Sequence, residues 1–168
     1  LDGTPLRGKP FLLEPFHKFI IYNLLGFKLK GTDVVRFHEA LIFIPRKNIK
    51  TSFAASLAWA LSLWYRRSGS KTYISAAALM QSLESFNFLD YNIRLMGEDE
   101  KHGGGVKIID NNNEHSMEAE LPDGSFFIRA LAANPDAQDS LNCNIAICDE
   151  IHAFTKPKQY NLFKEAMK

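Results

Sequence analysis

Apolar residues recur along the chain with two periods, and the changes of period divide it into elements. In EPFHKFIIYNLLGF, Phe16, Phe19, Ile20 and Leu24 return at helical spacing; Pro15 suits a first turn and Gly26 can close the helix. Ahead of it, Gly3, Pro5, Gly8 and Pro10 break any period and predict an extended lead-in. The turn GTD leads into VVRFHEALIFI (34–44), whose second half is almost continuously apolar, the pattern of a strand covered on both faces. From residue 53 the helical period returns with Phe53, Leu57, Ala60, Leu61 and Trp64, up to the basic turn YRRSGSK. TYISAAA then predicts a second buried strand, and Leu79, Leu83, Phe86 and Ile93 a second long helix ending near Gly97.

The middle changes character. EDEKHGGG is a loop, and VKIID, HSMEAEL and GSFFIRALAA form strands separated by NNN and PDG, both turn-forming sequences. They predict an antiparallel extension. A polar stretch, ANPDAQDSLN, leads to a buried strand, NIAIC; DEIHAF follows, and then KPKQYNLFKEAMK with Pro157 near a helical first turn. Strand–helix alternation with long crossovers implies an α/β fold with an open, mostly parallel sheet.

Composition narrows the class without naming a function. At 168 residues, 46% hydrophobic and 23% charged, the chain fits one ordinary globular domain. A net charge of +1 gives no whole-molecule basic field, so any contact with nucleic acid must come from a local patch. Cys143 and Cys148 fit neither a zinc site nor a disulfide framework, and Cys148 inside an apolar strand reads as a buried, inert thiol. No stretch reaches the roughly 18 apolar residues of a membrane span. The chain opens on Leu1 and stops at Lys168 inside a helical pattern, the outline of a piece of something longer.

Two stretches carry candidate chemistry. IPRKNIKTS (44–52) lies between an apolar run and a helix and has the layout of a phosphate-binding loop. In such a loop backbone N–H groups and a helix N-terminus converge on phosphate, a lysine neutralises charge and a hydroxyl serves Mg²⁺. Lys50 and Thr51 hold the last two positions, but Ile44 and Ile49 stand where the standard pattern has glycine. NIAICDE (144–150) ends a strand in two acids, where an open α/β sheet places its ligands. There Asp149 suits support of Mg²⁺ and Glu150 suits polarising an attacking water. Arg46, in the loop, could stabilise charge that develops on a transferring phosphate. His152 makes the acidic stretch DEIH, and docking of its loop or helix is the expected role. Arg66, Arg67 and Lys71 read as a solvated turn, and His38, His102 and His115 lack metal-ligand spacing.

PRKNIKT before an Ala-rich helix, YISAA before a helix containing Gln81, and SLNCNIAICDEIHAF together resemble the N-terminal ATPase domain of phage large terminases, over nearly the whole chain. The resemblance implies an ASCE-type P-loop fold over residues 1–168, a single incomplete ATPase domain lacking a C-terminal ribonuclease-H-like nuclease domain. It implies ATP and Mg²⁺ as cofactors, with Pro45, Arg46, Lys47, Asn48, Ile49, Lys50, Thr51 and Ser52 forming the nucleotide loop (Walker A). Thr51 and Asp149 (the latter in Walker B) would serve the metal, with Glu150 and Arg46 catalytic. His17, in a segment resembling the one that contacts adenine, stands where glutamine is usual; the family commonly lacks the first loop glycine, whereas Ile49 departs from it. Implied partners are double-stranded DNA, a portal protein, a small terminase subunit and further copies in a ring, with no membrane, in the host cytoplasm of a phage or prophage. Other readings are a superfamily-2 helicase lobe, suggested by DEIH but lacking the glycine-rich GKT loop, and a non-catalytic docking module.

Overall fold

Five strands lie side by side in one sheet in the computed structural model, which describes residues 9–45, 48–132, 141–159 and 161. The strands are β1 (Ser70–Ala76), β2 (Lys107–Asp110), β3 (His115–Leu121), β4 (Gly124–Ala132) and β5 (Ile145–Cys148). Their order across the sheet is β2-β3-β4-β1-β5. β1 runs parallel to β4 on one side and to β5 on the other, while β2, β3 and β4 pair antiparallel. The expected architecture is therefore present: a parallel portion, flanked by helices, with an antiparallel extension from the middle of the chain. Three helices accompany it: α1 (Pro15–Leu25), α2 (Lys50–Trp64) and α3 (Leu79–Leu95). The chain divides into two compact units, Leu1–Pro45 and Arg46–Lys168, and the sheet, α2 and α3 belong to the second.

β1 is central, and apart from Lys71 its residues are all buried, which is why TYISAAA carries no polar alternation. Its Ile74 joins Phe86, Leu89 and Ile93 of α3, Ala55 and Ala58 of α2, and Met117, Phe126 and Ile128 of the antiparallel strands in one core. α2 turns inward most of the face its large residues predict, and small residues join it. Phe53, Leu57 and Leu61 are buried and Ala55, Ala58 and Ser62 fully so, whereas Ala60 and Trp64 point to solvent, Trp64 being 71% exposed. Small residues let the helix backbone approach the sheet, and the contact is then completed by hydroxyls. Ser62 Oγ donates to the Ala58 carbonyl (2.7 Å) and lies 2.6 Å from Thr72 Oγ1, and Ser70 Oγ donates to the Ser62 carbonyl (2.8 Å). A buried hydroxyl is tolerated when it is paired, so this cluster ties α2 to β1 at one relative position.

The β3–β4 hairpin turns through Pro122 and Asp123. Gly124 follows with φ +141°, and a Cβ there would lie 2.2 Å from the Arg66 carbonyl oxygen, so only glycine fits. Arg66 grips Asp123 with two hydrogen bonds, Nε to Oδ1 (2.8 Å) and Nη2 to Oδ2 (2.6 Å). That guanidinium holds the Asp123 carboxyl below its ordinary range. Arg66, expected to be solvated, thus fastens the far end of the sheet.

The first unit differs from expectation in one element. Residues 34–44 are not a strand: Val35 forms a single antiparallel bridge to Lys28, and residues 39–45 have irregular backbone. An apolar run becomes a strand only where a neighbour offers a ladder, and the run's own composition does not say whether one does. α1 forms as predicted, behind Pro15 and closed by the Gly26 N–H on the Tyr22 carbonyl (2.8 Å). Its Phe16, Phe19 and Ile20 line an apolar groove with Phe37 and Leu41 inside this unit.

Cys143 is buried and Cys148 half-buried, and burial raises both thiols, to about 11 and about 12. Neither should be alkylated at about pH 8 in the folded protein, and both should react once the chain is unfolded in denaturant; rapid labelling of the native protein would contradict this packing. Phe86, fully buried at the centre of the core, should cost about 3–5 kcal/mol on replacement by alanine, measured by urea unfolding.

Candidate functional site

α2 begins without a capping side chain. Its N-cap residue, Ile49, adopts the left-handed conformation (φ 56°, ψ 28°), and the first intrahelical bond to it comes from the Phe53 N–H (3.0 Å). A β-branched residue disfavours this region, which glycine enters freely, so the backbone at Ile49 has a conformation suited to the glycine of the standard pattern. Ile49, Lys50, Thr51 and Ser52, at this helix terminus, line a pocket of about 500 Å³, within the range of about 300–1,000 Å³ typical of small-molecule sites.

The opposite wall is built by the end of β5. Asp149 continues the ladder one residue past the strand, its N–H donating to the Ser75 carbonyl at 2.7 Å. Asp149 Oδ1 accepts the Glu150 N–H (2.8 Å). Glu150 is then left-handed as well (φ 50°, ψ 42°) and turns the chain into a 3₁₀ helix, Ile151–Ala153. Ile49 and Glu150 are the two non-glycine residues with positive φ among the described residues, and both face this pocket. Each such residue costs about 1–3 kcal/mol, and clustering of that cost at one pocket is the mark of a functional site.

Across the pocket the two walls meet in pairs. Lys50 Nζ donates to Glu150 Oε1 in a half-buried ion pair, and Thr51 Oγ1 lies 3.4 Å from Asp149 Oδ2. His152 Nδ1 stands 3.2 Å from Glu150 Oε2. From α3, Gln81 and Glu84 complete the lining. Gln81 Oε1 accepts the Ala78 N–H (3.3 Å). Glu84 was not legible as a site residue, because one acid on an exposed helix face carries no signal until the helix is placed.

The donors present fit the groups that the sequence implies. A hydroxyl and a carboxylate 3.4 Å apart are hard oxygen donors of the kind that hold Mg²⁺ jointly with substrate phosphates. No group of three or more His, Cys, Asp and Glu able to hold a metal by itself occurs among the described residues. The uncapped N-terminus of α2, with Lys50 on it, suits a phosphate chain.

The structure brings together Ile49, Lys50, Thr51, Ser52, Asp149 and Glu150. Arg46 and Lys47 lie outside the described residues. Asn48 is exposed beside the loop, and Pro45 and His17 belong to the first unit. There, His17 is buried on α1, its Nδ1 accepting the Glu14 N–H (3.1 Å), and desolvation lowers its pKa. His102 and His115 pair with Asp99 and Asp110 (2.6 Å each), away from the pocket lining. Among the described residues no helix is long and apolar enough to cross a membrane.

Three comparisons bear on this arrangement. The model of the family "Terminase large subunit, ATPase domain" matches residues 15–168. Among solved structures, the large terminase of a thermophilic bacteriophage has a similar fold, with a TM-score of 0.55 at 7% identity. The match covers 73% of this chain and 29% of the phage protein, so the chain spans under a third of that protein's length. A search of curated proteins finds no match. With the family model covering all but the first residues, and with the parallel sheet and its end-of-strand acids in place, the chain belongs to the terminase large subunits, whose ATPase domain it carries.

Proposed function

We propose that this chain binds ATP with Mg²⁺ in the pocket between α2 and the end of β5, and hydrolyses it to drive double-stranded DNA into a viral procapsid. One observation carries the reading: Lys50 and Thr51, at a helix N-terminus, face Glu150 and Asp149 across a single pocket. In it Lys50 exchanges its carboxylate partner for β/γ-phosphate oxygens, while the N–H groups at the start of α2 cradle the phosphates. Thr51 and Asp149 would hold Mg²⁺, which when bound offsets the charge on the transferring phosphate. Glu150, released from Lys50, accepts a proton from the attacking water. Arg46 is proposed to stabilise the developing charge, Pro45, Lys47, Asn48, Ile49 and Ser52 to shape the loop, and His17 to lie at the adenine.

Duplex DNA, a portal protein and a small terminase subunit are the proposed partners, with copies of the chain acting as a ring in the host cytoplasm. A helicase lobe and a non-catalytic docking module are weaker readings. The matching family is that of terminases, and the opposed Lys50 and Glu150 are retained as a pair.

Calorimetric titration of Mg·ATP should show saturable binding that Lys50→Ala abolishes. Ile49→Gly should bind at least as tightly as the native chain, because the backbone already holds the conformation glycine prefers. Binding untouched by Lys50→Ala would remove the pocket from consideration. Glu150→Gln should keep ATP affinity and lower DNA-stimulated turnover by about 10²–10⁴-fold; unchanged turnover would exclude Glu150 as the base.

A further inference from the structure

The pocket has a third wall that the reading above does not use. Besides the start of α2 and the end of β5, α3 enters the lining with Gln81 and Glu84. These two residues stand one turn apart on one face of that helix. Glu84 is exposed and, when ionised, can only accept hydrogen bonds, so it adds negative charge to a pocket that already holds Asp149 and Glu150. Gln81 is the lining side chain of α3 that can donate.

The start of α3 fixes which way Gln81 donates. The helix opens at Ala78, whose methyl group cannot cap it. Gln81 closes the first turn instead: its Oε1 accepts the Ala78 N–H (3.3 Å), and its own backbone N–H donates to the Ala78 carbonyl (3.1 Å). Only the oxygen end of a side-chain amide can accept an N–H, so the nitrogen end, with its two donors, is turned away from Ala78. Among the described residues nothing accepts from that nitrogen. A half-buried amide with both donors unused, on a pocket wall, suits an acceptor that arrives with a ligand.

The sheet decides which part of a nucleotide Gln81 meets. α3 follows β1, and β1 ends beside β5, where the Ser75 carbonyl takes the Asp149 N–H (2.7 Å). Gln81 thus comes from the strand next to the acids. On the reading above, the acids serve the metal and the attacking water, so the group brought to them is the terminal phosphate. We propose that Gln81 recognises this phosphate, its amide nitrogen donating to a γ-phosphate oxygen of ATP, a contact that ADP cannot make. The proposal rests on the reading of this pocket as the ATP site. A neutral amide suits the position beside Glu84, because a cation there would pair with the acid and withdraw its donors from the pocket.

Calorimetric titration of the whole chain with Mg·ADP and with the Mg²⁺ complex of a non-hydrolysable ATP analogue tests this. Two variants separate the ends of the amide. Gln81→Glu keeps an oxygen for the Ala78 N–H, since glutamate closes the same capping box, but removes the donors; Gln81→Ala removes both. Both variants should bind the ATP analogue about 10-fold or more weakly, with affinity for ADP unchanged. In urea, Gln81→Glu should unfold closer to the native midpoint than Gln81→Ala does. Native affinity for the analogue in Gln81→Glu would mean that the residue only caps α3, and would overturn the proposal. Equal losses for the analogue and ADP would mean that it shapes the pocket without reading the phosphate, and would overturn it as well. Failure of the underlying reading looks different: the native chain would bind neither nucleotide, or Lys50→Ala would bind both as the native chain does.

Discussion

The pairing of β5 with β1 is the contact on which the site depends. β5 is only four residues long, and it meets β1 in a parallel register running from Thr72–Ile145 to Ser75–Cys148. One more bond, from the Asp149 N–H to the Ser75 carbonyl, carries the ladder to the last backbone position before the acids. Without it Asp149 and Glu150 would sit on a free loop. With it, the two carboxylates are delivered at a fixed height beside the N-terminus of α2. That helix is fixed in turn by the buried Ser62, Thr72 and Ser70 hydroxyls, which also act through β1. Both walls of the pocket are thus referenced to one central strand, and a shift in that strand would move them together.

Strain and charge are concentrated at the same end of the sheet. The rest of the described backbone reserves positive φ for glycine, whereas Ile49 and Glu150 adopt it at the pocket. Such conformations persist only where surrounding contacts over-determine them. For Ile49 the constraint is the start of α2, and for Glu150 it is the Asp149 carboxylate below and the closed turn above. Ile49 itself holds a backbone conformation that glycine enters freely, while its side chain, 43% exposed, adds an apolar edge to the pocket.

The electrostatic arrangement is one of exchange. A half-buried ion pair such as Lys50–Glu150 gains attraction but loses hydration, and its net contribution to stability is small. That balance makes it easily broken by a stronger anion, and a phosphate chain at a helix N-terminus is such an anion. The opposite end of the sheet shows the structural use of the same chemistry: Arg66 and Asp123 clamp a hairpin against a glycine that admits no side chain, and no strained residue accompanies them.

The pattern of apolar residues determined α1, α2, α3 and the five sheet strands, because the helices and the antiparallel strands carry a buried face in their spacing and β1 carries its burial on both faces in a run without polar alternation. The loop–helix junction and the acids ending an apolar strand were equally legible, since Lys-Thr before a helix and Asp-Glu after a strand are local patterns. Residues 34–44 show the limit: their composition suits a strand, but strand formation requires a partner, and composition does not report one. The closeness of α2 to the sheet was hidden for a related reason: it is set by small residues and paired hydroxyls, and Ser62, which interrupts the apolar pattern, is part of the tie to the sheet. Glu84 and the contact of His152 with Glu150 were decided by tertiary structure alone. The first depends on where α3 is packed, and the second on a left-handed turn in a residue type that gives no sign of adopting one. Sequence patterns record what each segment does to its own neighbours, whereas a pocket is made by segments that meet only through β1.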